Sequence, residues 1–242
     1  MKHVVNYYTT KILQIKHKLQ LQQYSGSYFI SPKPLYISQF IGIYPTSITT
    51  DAPLTNKQHM KEFGAKDSEE FTLWAWRDCG IVCVKMILSA KGKAKDKTLM
   101  DLTNEGLALK GYILYDNGKF VDRGWFHNSL VALLKKYDVN AKMKKWQTIE
   151  SVAKDILGNK LVILSVSVPY RRFIKEDGSY GAKQNATFGG HLLLATGVKM
   201  NGKDIVGIYL HDPRGLEKYQ KDTFVPKKVF NKIFTNRTIV SD

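Results

Sequence analysis

The most strongly patterned stretch of the chain is an apolar run that begins at residue 79. In "CGIVCVKMIL" (79–88), apolar side chains occur nearly all round a helix and only Lys85 is charged, which is typical of a buried helix. Helical period or capping residues indicate three further helices: "DLTNEGLALKG", opened by Asp101 or Thr103 and stopped by Gly111, "WFHNSLVALLKKY" (125–137), and "TIESVAKDILGNK" (148–160), with Gly158 past its end.

Apolar runs of strand length follow in the second half of the chain. They are "LVILSVSV" (161–168), "HLLLATGV" (191–198) and "DIVGIYLHD" (204–212). Helices first and strands second is the order of an α+β fold. Residues 1–70 hold four of the seven prolines among Ser, Thr and Tyr, which favours short strands and loops over long helices. We therefore expect an N-terminal extension (1–70) packed on a main domain (71–242).

Composition narrows the classes of protein. The 242 residues include 37 Lys and Arg against 21 Asp and Glu, a net charge of +16, so an acidic partner would be attracted. Two cysteines exclude a disulfide-rich secreted scaffold. The sequence contains neither an apolar run of about 18 residues nor the apolar core of a signal peptide, so we expect a cytoplasmic protein.

A hairpin is predicted between the last two of these strands. Asn201-Gly202 is a strong signal for a two-residue type I′ turn, which needs positive φ at both positions. Counting outward from that turn pairs His191 with Asp212 and turns His211 to the other face of the sheet. Directly opposite side chains are close enough for an imidazole–carboxylate hydrogen bond, whereas a bulge would change the register.

Such a pair would activate a nucleophile. A carboxylate on one ring nitrogen fixes the histidine tautomer and leaves the other nitrogen free as a base. Cys79 is the candidate it would serve, because a helix N-terminus favours the thiolate. Cys79, His191 and Asp212 then act as nucleophile, base and orienting residue.

Four segments carry a resemblance to a known family. "DCGIVCVKMIL", "GWFHNSLVALLKKYDV", "GGHLLLATGV" and "LHDPRG" resemble, in this order over about 71–235, the C39-like cysteine peptidases of the papain-like clan. The resemblance implies a papain-like α+β fold, in which a central helix carrying the cysteine packs on an antiparallel sheet carrying the histidine and the aspartate. It gives Cys79, His191 and Asp212 the same three roles.

The chain departs from the family pattern at one position. Many relatives have a glutamine a few residues before the cysteine, where its amide helps to hold the oxyanion. The stretch "FTLWAWRD" has none. The backbone N–H of Cys79 remains, and the indole N–H of Trp74 or Trp76 is a candidate replacement. Losing one oxyanion donor typically costs on the order of 10²–10³ in rate.

Other interpretations compete at the same residues. Cys79, Cys83 and His191 are a weaker zinc set, because structural zinc sites usually have four ligands. Cys83 is better explained as a core residue, and His127 as a residue that caps or packs a helix. The lysine clusters "KGKAKDK" and "KKYDVNAKMKK" are most simply solvated faces. Arg171-Arg172 and Gly189-Gly190, on a long loop (169–190), are expected to line a substrate cleft.

The leading hypothesis is a cysteine peptidase that cleaves a peptide or amide bond through a thioester acyl-enzyme. It needs no metal or organic cofactor, and its partner is a peptide or protein substrate. Acyl or peptidyl transfer on the same triad is one alternative. A catalytically inactive module whose basic surface binds nucleic acid or an acidic partner is another. Nucleic acid is the less expected of the two because no motif of a known nucleic-acid-binding module is present.

Overall fold

A computed structural model of the chain describes residues 2–21, 23–42, 53–167, 190–214 and 219–242. In chain order its elements are α1 (Lys2–Leu19), β1 (Gly26–Phe29), α2 (Lys57–Phe63), α3 (Ser68–Ala75), α4 (Cys79–Ala90), α5 (Leu99–Ala108), β2 (Tyr115–Asp116), β3 (Lys119–Phe120), α6 (His127–Lys136), β4 (Ala141–Lys145), α7 (Ile149–Leu157), β5 (Leu161–Val166), β6 (His191–Asn201), β7 (Asp204–His211), β8 (Thr223–Pro226), α8 (Lys227–Ile233) and β9 (Phe234–Ser241).

Two compact units share these elements. The first, which we call the sheet unit, comprises residues 1–33, 143–211 and 222–242. The second, the helical unit, comprises 34–142 and 212–221. No helix among the described residues has both the length and the hydropathy needed to cross a membrane.

One antiparallel sheet forms the centre of the sheet unit. Its strand order is β4-β9-β5-β6-β7-β8, and β1 pairs with the C-terminal half of β6. All six residues of β5 are buried, as a run that is apolar except for Ser165 predicts. Gly197 lies where β1 crosses close to β6, and a Cβ there would be 2.5 Å from the carbonyl oxygen of Tyr28. The three strands that the sequence predicts correspond to β5, β6 and β7, and they are confirmed.

The hairpin register differs from the prediction. Asn201 belongs to β6 and pairs with Asp204, so the turn consists of Gly202 and Lys203. Gly202 has φ +59° and takes the first central position, where a type II′ turn requires positive φ. Bulges between Ala195 and Gly197, and between Lys199 and Met200, shift the register again. The direct pairing of His191 with Asp212 is therefore wrong.

The N-terminal region also differs. Residues 2–19 form an 18-residue helix, where the sequence analysis expects short strands and loops. The prolines on which that expectation rests all follow residue 31, and residues 1–19 contain neither Pro nor Gly. Within the sheet unit, α1 contacts the N-cap of α7, where His17 Nδ1 lies 3.2 Å from the Oγ1 of Thr148. It also contacts the start of β7 through the Lys18–Asp204 ion pair.

Helix α4 is the core of the helical unit. Its buried residues occupy all sides of the helix, as predicted, and Lys85 reaches out to donate to the carbonyl oxygens of Ala94 and Lys97. α5 begins at Leu99, after the N-cap Thr98, which is earlier than the Asp101 or Thr103 of the prediction. The predicted helices α6 and α7 are confirmed, and α7 has Gly158 at its C-cap.

Candidate active site

Cys79 is the first residue of α4, and its side chain is partly exposed. The first backbone N–H groups of a helix have no acceptor within the helix, and the helix dipole favours negative charge there. Asp78, the N-cap, makes no side-chain hydrogen bond to these groups. The start of α4 therefore leaves its N–H groups available to an anion, and Cys79 is the residue at this position.

Cys83 lies one turn further along the same helix and is completely buried. Burial raises the pKa of its thiol well above the ordinary value, and the negative charges of Cys79 and Asp212 act in the same direction. A thiol in such surroundings stays protonated and unreactive. The prediction that Cys83 is a core residue is confirmed.

Asp212 follows the last residue of β7 and belongs to the helical unit, as Cys79 does. It is completely buried. Its Oδ1 accepts the backbone N–H of Arg214 (2.9 Å), and its own N–H donates to the carbonyl oxygen of Gln220 (2.8 Å). Its carbonyl oxygen accepts the Tyr36 hydroxyl (3.1 Å). These bonds fix the backbone and one carboxylate oxygen of Asp212.

His191 is the first residue of β6, is buried, and belongs to the sheet unit. Its ladder partner is Val166 of β5. The β6–β7 ladder ends at Leu194 and His211, so Asp212 lies beyond it. The Nδ1 of His211 accepts the backbone N–H of Asp222 (3.1 Å), which selects the neutral tautomer with its proton on Nε2.

Gln39 is a residue that the sequence analysis missed. Its side chain is completely buried, and its Nε2 donates to the carbonyl oxygen of Ala75 (2.7 Å), four residues before Cys79. Its backbone N–H donates to the carbonyl oxygen of Pro213 (3.0 Å). Gln39 thus connects the chain just after Asp212 with the end of α3. The local signal, a glutamine in "YISQF", lies 40 residues before the cysteine.

The two candidate tryptophans have different surroundings. Trp74 is buried in an aromatic cluster, with ring centroids 5.5 Å from Tyr112 and 6.0 Å from Trp125. Trp76 is half-buried, between the Phe40 ring at 5.1 Å and the guanidinium of Arg214 at 4.7 Å. Trp76 therefore packs against the segments that hold Asp212, while Trp74 fills the core.

A groove of about 380 Å³ opens beside the residues that precede Cys79. Its lining is mostly apolar, with charged groups at Glu69 and Arg77. The Arg77 guanidinium donates to the Asp122 carboxylate and to the carbonyl oxygen of Leu73 (2.9 Å). The groove is thus a preformed apolar surface on the unit that contains Cys79.

The remaining candidates fall into three groups. His127 is the first residue of α6, while Arg171-Arg172 and Gly189 lie outside the described residues. Within the described ranges, no group of three or more His, Cys, Asp or Glu is arranged to hold a metal ion.

Several lysines of the two basic clusters form ion pairs, which favours the interpretation of these clusters as solvated faces. The pairs are Lys93–Asp138, Lys97–Glu105, Lys136–Glu105 and Lys144–Asp155.

A family model matches most of the chain. Residues 49–241 match the Peptidase_C39 like family, a longer stretch than the motifs alone indicate. The chain belongs to this family of cysteine peptidases. No curated protein matches it.

Three solved structures are similar to the chain. A putative C39-like peptidase from Bacillus anthracis is 16% identical over 88% of this chain and 96% of its own, with a TM-score of 0.54. The peptidase domain of Streptococcus ComA, a bi-functional ABC transporter, is 14% identical over 68% and 91%, with a TM-score of 0.45. A double glycine motif protease from an AMS/PCAT transporter, solved with its leader peptide, is 14% identical over 67% and 83%, with a TM-score of 0.43. The papain-like α+β fold is confirmed by the first of these.

Proposed function

We propose that the protein cleaves a peptide bond with Cys79 as the nucleophile. One observation carries this proposal: Cys79 begins α4 with a partly exposed side chain, while Cys83 is buried one turn deeper. A thiolate at a helix N-terminus is favoured, and a thiol in an apolar core is not. Membership of the C39-like family supports the same reaction class.

His191 is the proposed general base and acid, and Asp212 the proposed orienting residue. The Cys79 thiolate attacks the substrate carbonyl carbon and forms a tetrahedral intermediate. His191 then gives a proton to the leaving amine as the carbon–nitrogen bond breaks. Water, losing a proton to His191, attacks the thioester and releases the acid product and the thiol. The buried, hydrogen-bonded Asp212 suits a carboxylate with a fixed position.

Gln39 is the proposed side-chain donor to the oxyanion, together with the backbone N–H of Cys79. Its amide carries two hydrogens, of which one is used by the carbonyl oxygen of Ala75. Because both Gln39 and Cys79 belong to the helical unit, their relative position does not depend on His191. Gln39 thereby supplies the amide that "FTLWAWRD" lacks.

Selective alkylation tests the nucleophile without a known substrate. A sub-stoichiometric pulse of iodoacetamide at about pH 6 should label Cys79 almost exclusively, because ordinary thiols near pKa 8.5 are barely ionised there. Peptide mass mapping gives both cysteines in one sample, so Cys83 is the internal control. His191→Ala should slow the labelling of Cys79 strongly. Equal, slow labelling of both cysteines, or no effect of His191→Ala, contradicts the proposal.

A pair of variants tests the oxyanion donor. Peptides that the wild type cleaves are first identified in a synthetic library by mass spectrometry. On these, Gln39→Ala should lower kcat by about 10²–10³. Trp76→Phe keeps an aromatic ring but removes the indole N–H, and we expect kcat within about threefold of wild type. The reverse pattern would assign the role to Trp76. Circular dichroism checks that each variant is folded.

A further inference from the structure

Asp78, the residue before Cys79, is completely buried. Its carboxyl group turns away from the helix that it precedes and contacts α5, where its Oδ2 lies 2.6 Å from the Oγ1 of Thr103. The other oxygen, Oδ1, has no hydrogen-bond partner among the described residues. An ionised carboxylate in this place would have one hydrogen bond of ordinary geometry, from Thr103, with the indole of Trp125 nearby and no ion pair among the described residues, which is costly in a buried site.

The two contacts of the Thr103 hydroxyl indicate whether the Asp78 carboxyl group is protonated. Its Oγ1 lies 2.9 Å from the carbonyl oxygen of Leu99 and 2.6 Å from Asp78 Oδ2. A hydroxyl has one proton to donate, and a carbonyl oxygen can only accept. If Thr103 donates to Leu99, as it does in a helix, the proton in the contact with Asp78 must come from Asp78. A protonated Asp78 satisfies both contacts, whereas an ionised one leaves one of them without a proton.

The surroundings of Asp78 support the same assignment. Burial raises its pKa well above the ordinary value and outweighs the Thr103 hydroxyl and the Trp125 indole, which both act to lower it. In the described part of the unit, no charged side chain contributes to that shift. The titratable and charged groups around it are its chain neighbours and a tyrosine packed on Trp125: Arg77, Cys79 and Tyr112. Arg77 is already ion-paired with Asp122.

We infer that Asp78 is a neutral carboxylic acid that donates its proton to Thr103 and acts as a positioning residue for Cys79. The bond to Thr103 ties the first turn of α4 to α5. Neutrality keeps a negative charge away from the place where the Cys79 thiolate must form, since an adjacent like charge disfavours ionisation. The second part of this inference rests on the proposed function of Cys79, while the protonation of Asp78 does not.

Infrared spectroscopy tests the protonation alone. At pH 7 the wild-type spectrum minus that of Asp78→Asn should contain the C=O band of a protonated carboxylic acid. Thr103→Val, which keeps Asp78 but removes its acceptor, should shift this band, so the assignment does not depend on the folding of one variant. A carboxylate band in its place at pH 7 overturns the inference.

The pH dependence of the free energy of unfolding is a second, independent test of the protonation state of Asp78. A carboxyl group with a raised folded-state pKa stabilises the fold below its unfolded pKa, and this contribution is lost as pH rises through the folded value. Asparagine keeps a donor to Thr103 and has no charge. The stability of Asp78→Asn relative to wild type should therefore rise between pH 4 and pH 8, measured by urea unfolding. A relative stability that falls over this range contradicts a neutral Asp78.

The pH profile of Cys79 alkylation tests the positioning role. Asp78→Ala should slow labelling at every pH by about tenfold or more, while Asp78→Asn should restore it with the same pH midpoint as wild type. A midpoint that moves to lower pH in Asp78→Asn would show that wild-type Asp78 is charged and overturn the inference. If the infrared and stability results hold but Cys79 labels as slowly as Cys83 in the wild type, the proposed function fails and the neutral Asp78 stands.

Discussion

Helices α4 and α5 lie in the same unit and begin in opposite ways. At α5, Thr98 accepts the backbone N–H of Asp101 (3.1 Å), and Asp101 Oδ2 accepts the backbone N–H of Thr98 (2.8 Å). This reciprocal pair is a capping box. At α4, the N-cap Asp78 makes no such bond, and its carboxyl group is turned toward Thr103.

The difference separates a structural helix start from a candidate catalytic one. At a capped helix start, nearby side chains accept hydrogen bonds from the first backbone N–H groups, and this stabilises the helix. An uncapped start gives up that stability and leaves its donors for an anion. In α4 that anion is the proposed Cys79 thiolate, so the missing cap is consistent with a role in catalysis.

The largest expected effect is on peptide cleavage, which should depend on the start of α4 and not on the start of α5. Cys79→Ala should abolish cleavage of every library peptide that the wild type cleaves, a loss of at least about 10³ in kcat/KM, because the covalent step needs the sulfur. Its unfolding midpoint in urea should change little. Thr98→Ala should retain cleavage within about threefold. Loss of cleavage in both variants would mean that the two starts are not functionally distinct.

Thr98→Ala should have its effect on stability instead. Removing an N-cap threonine typically costs about 1 kcal/mol, with a range of roughly 0.5–2 kcal/mol. Urea unfolding at pH 7, followed by far-ultraviolet circular dichroism, measures this difference. A value indistinguishable from zero would show that the capping box contributes nothing to the stability of α5.

The stability of Asp101→Asn should depend on pH in the way expected for a carboxylate in a capping box. The hydrogen bonds from the Thr98 backbone N–H and hydroxyl lower the pKa of Asp101 below its ordinary value. Its stabilising contribution is therefore present above the unfolded pKa and lost as pH falls through the folded value. Asp101→Asn should cost stability at pH 7 and less at pH 3. This sign is opposite to that expected for Asp78→Asn, so the two variants are matched controls.

The smallest expected effect comes from Thr98→Ser. Serine keeps the hydroxyl that accepts from Asp101, and serine and threonine differ little as N-caps. We expect a change of a few tenths of a kcal/mol in the free energy of unfolding, measured by the same urea titration. A loss as large as that of Thr98→Ala would show that the methyl group of Thr98, rather than its hydroxyl, stabilises the helix start.

Local patterns account for what the sequence predicted well. The apolar run after Cys79 specifies α4 because almost every side chain in it must be buried, and the start of α7 follows from Thr148 and its cap. The start of α5 was placed too late, although Thr98 and Asp101 have the spacing of a capping box. The prediction for the N-terminal region fails at α1 because it rests on prolines that all follow residue 31 and do not affect Lys2–Leu19.

Non-local features could not be predicted in the same way. The two bulges of the hairpin cancel, so the pairing of Leu194 with His211 follows from the turn at Gly202-Lys203, which the Asn201-Gly202 signal alone does not specify. Gln39 comes close to the end of α3 through folding, since 40 residues separate it from Cys79. No local pattern marks a glutamine this far before the cysteine as a residue that lies beside α3.

The position of β9 in the sheet has a consequence for how the protein is made. β9 is synthesised after β4 and β5, yet it lies between them in the interior of the sheet. A ribosome therefore releases β4 and β5 before the strand that joins them exists, and both strands are left with an unpaired edge. Exposed strand edges promote association between chains. We expect the nascent chain to need protection until residues 234–241 have emerged, whereas the helical unit can form its core earlier.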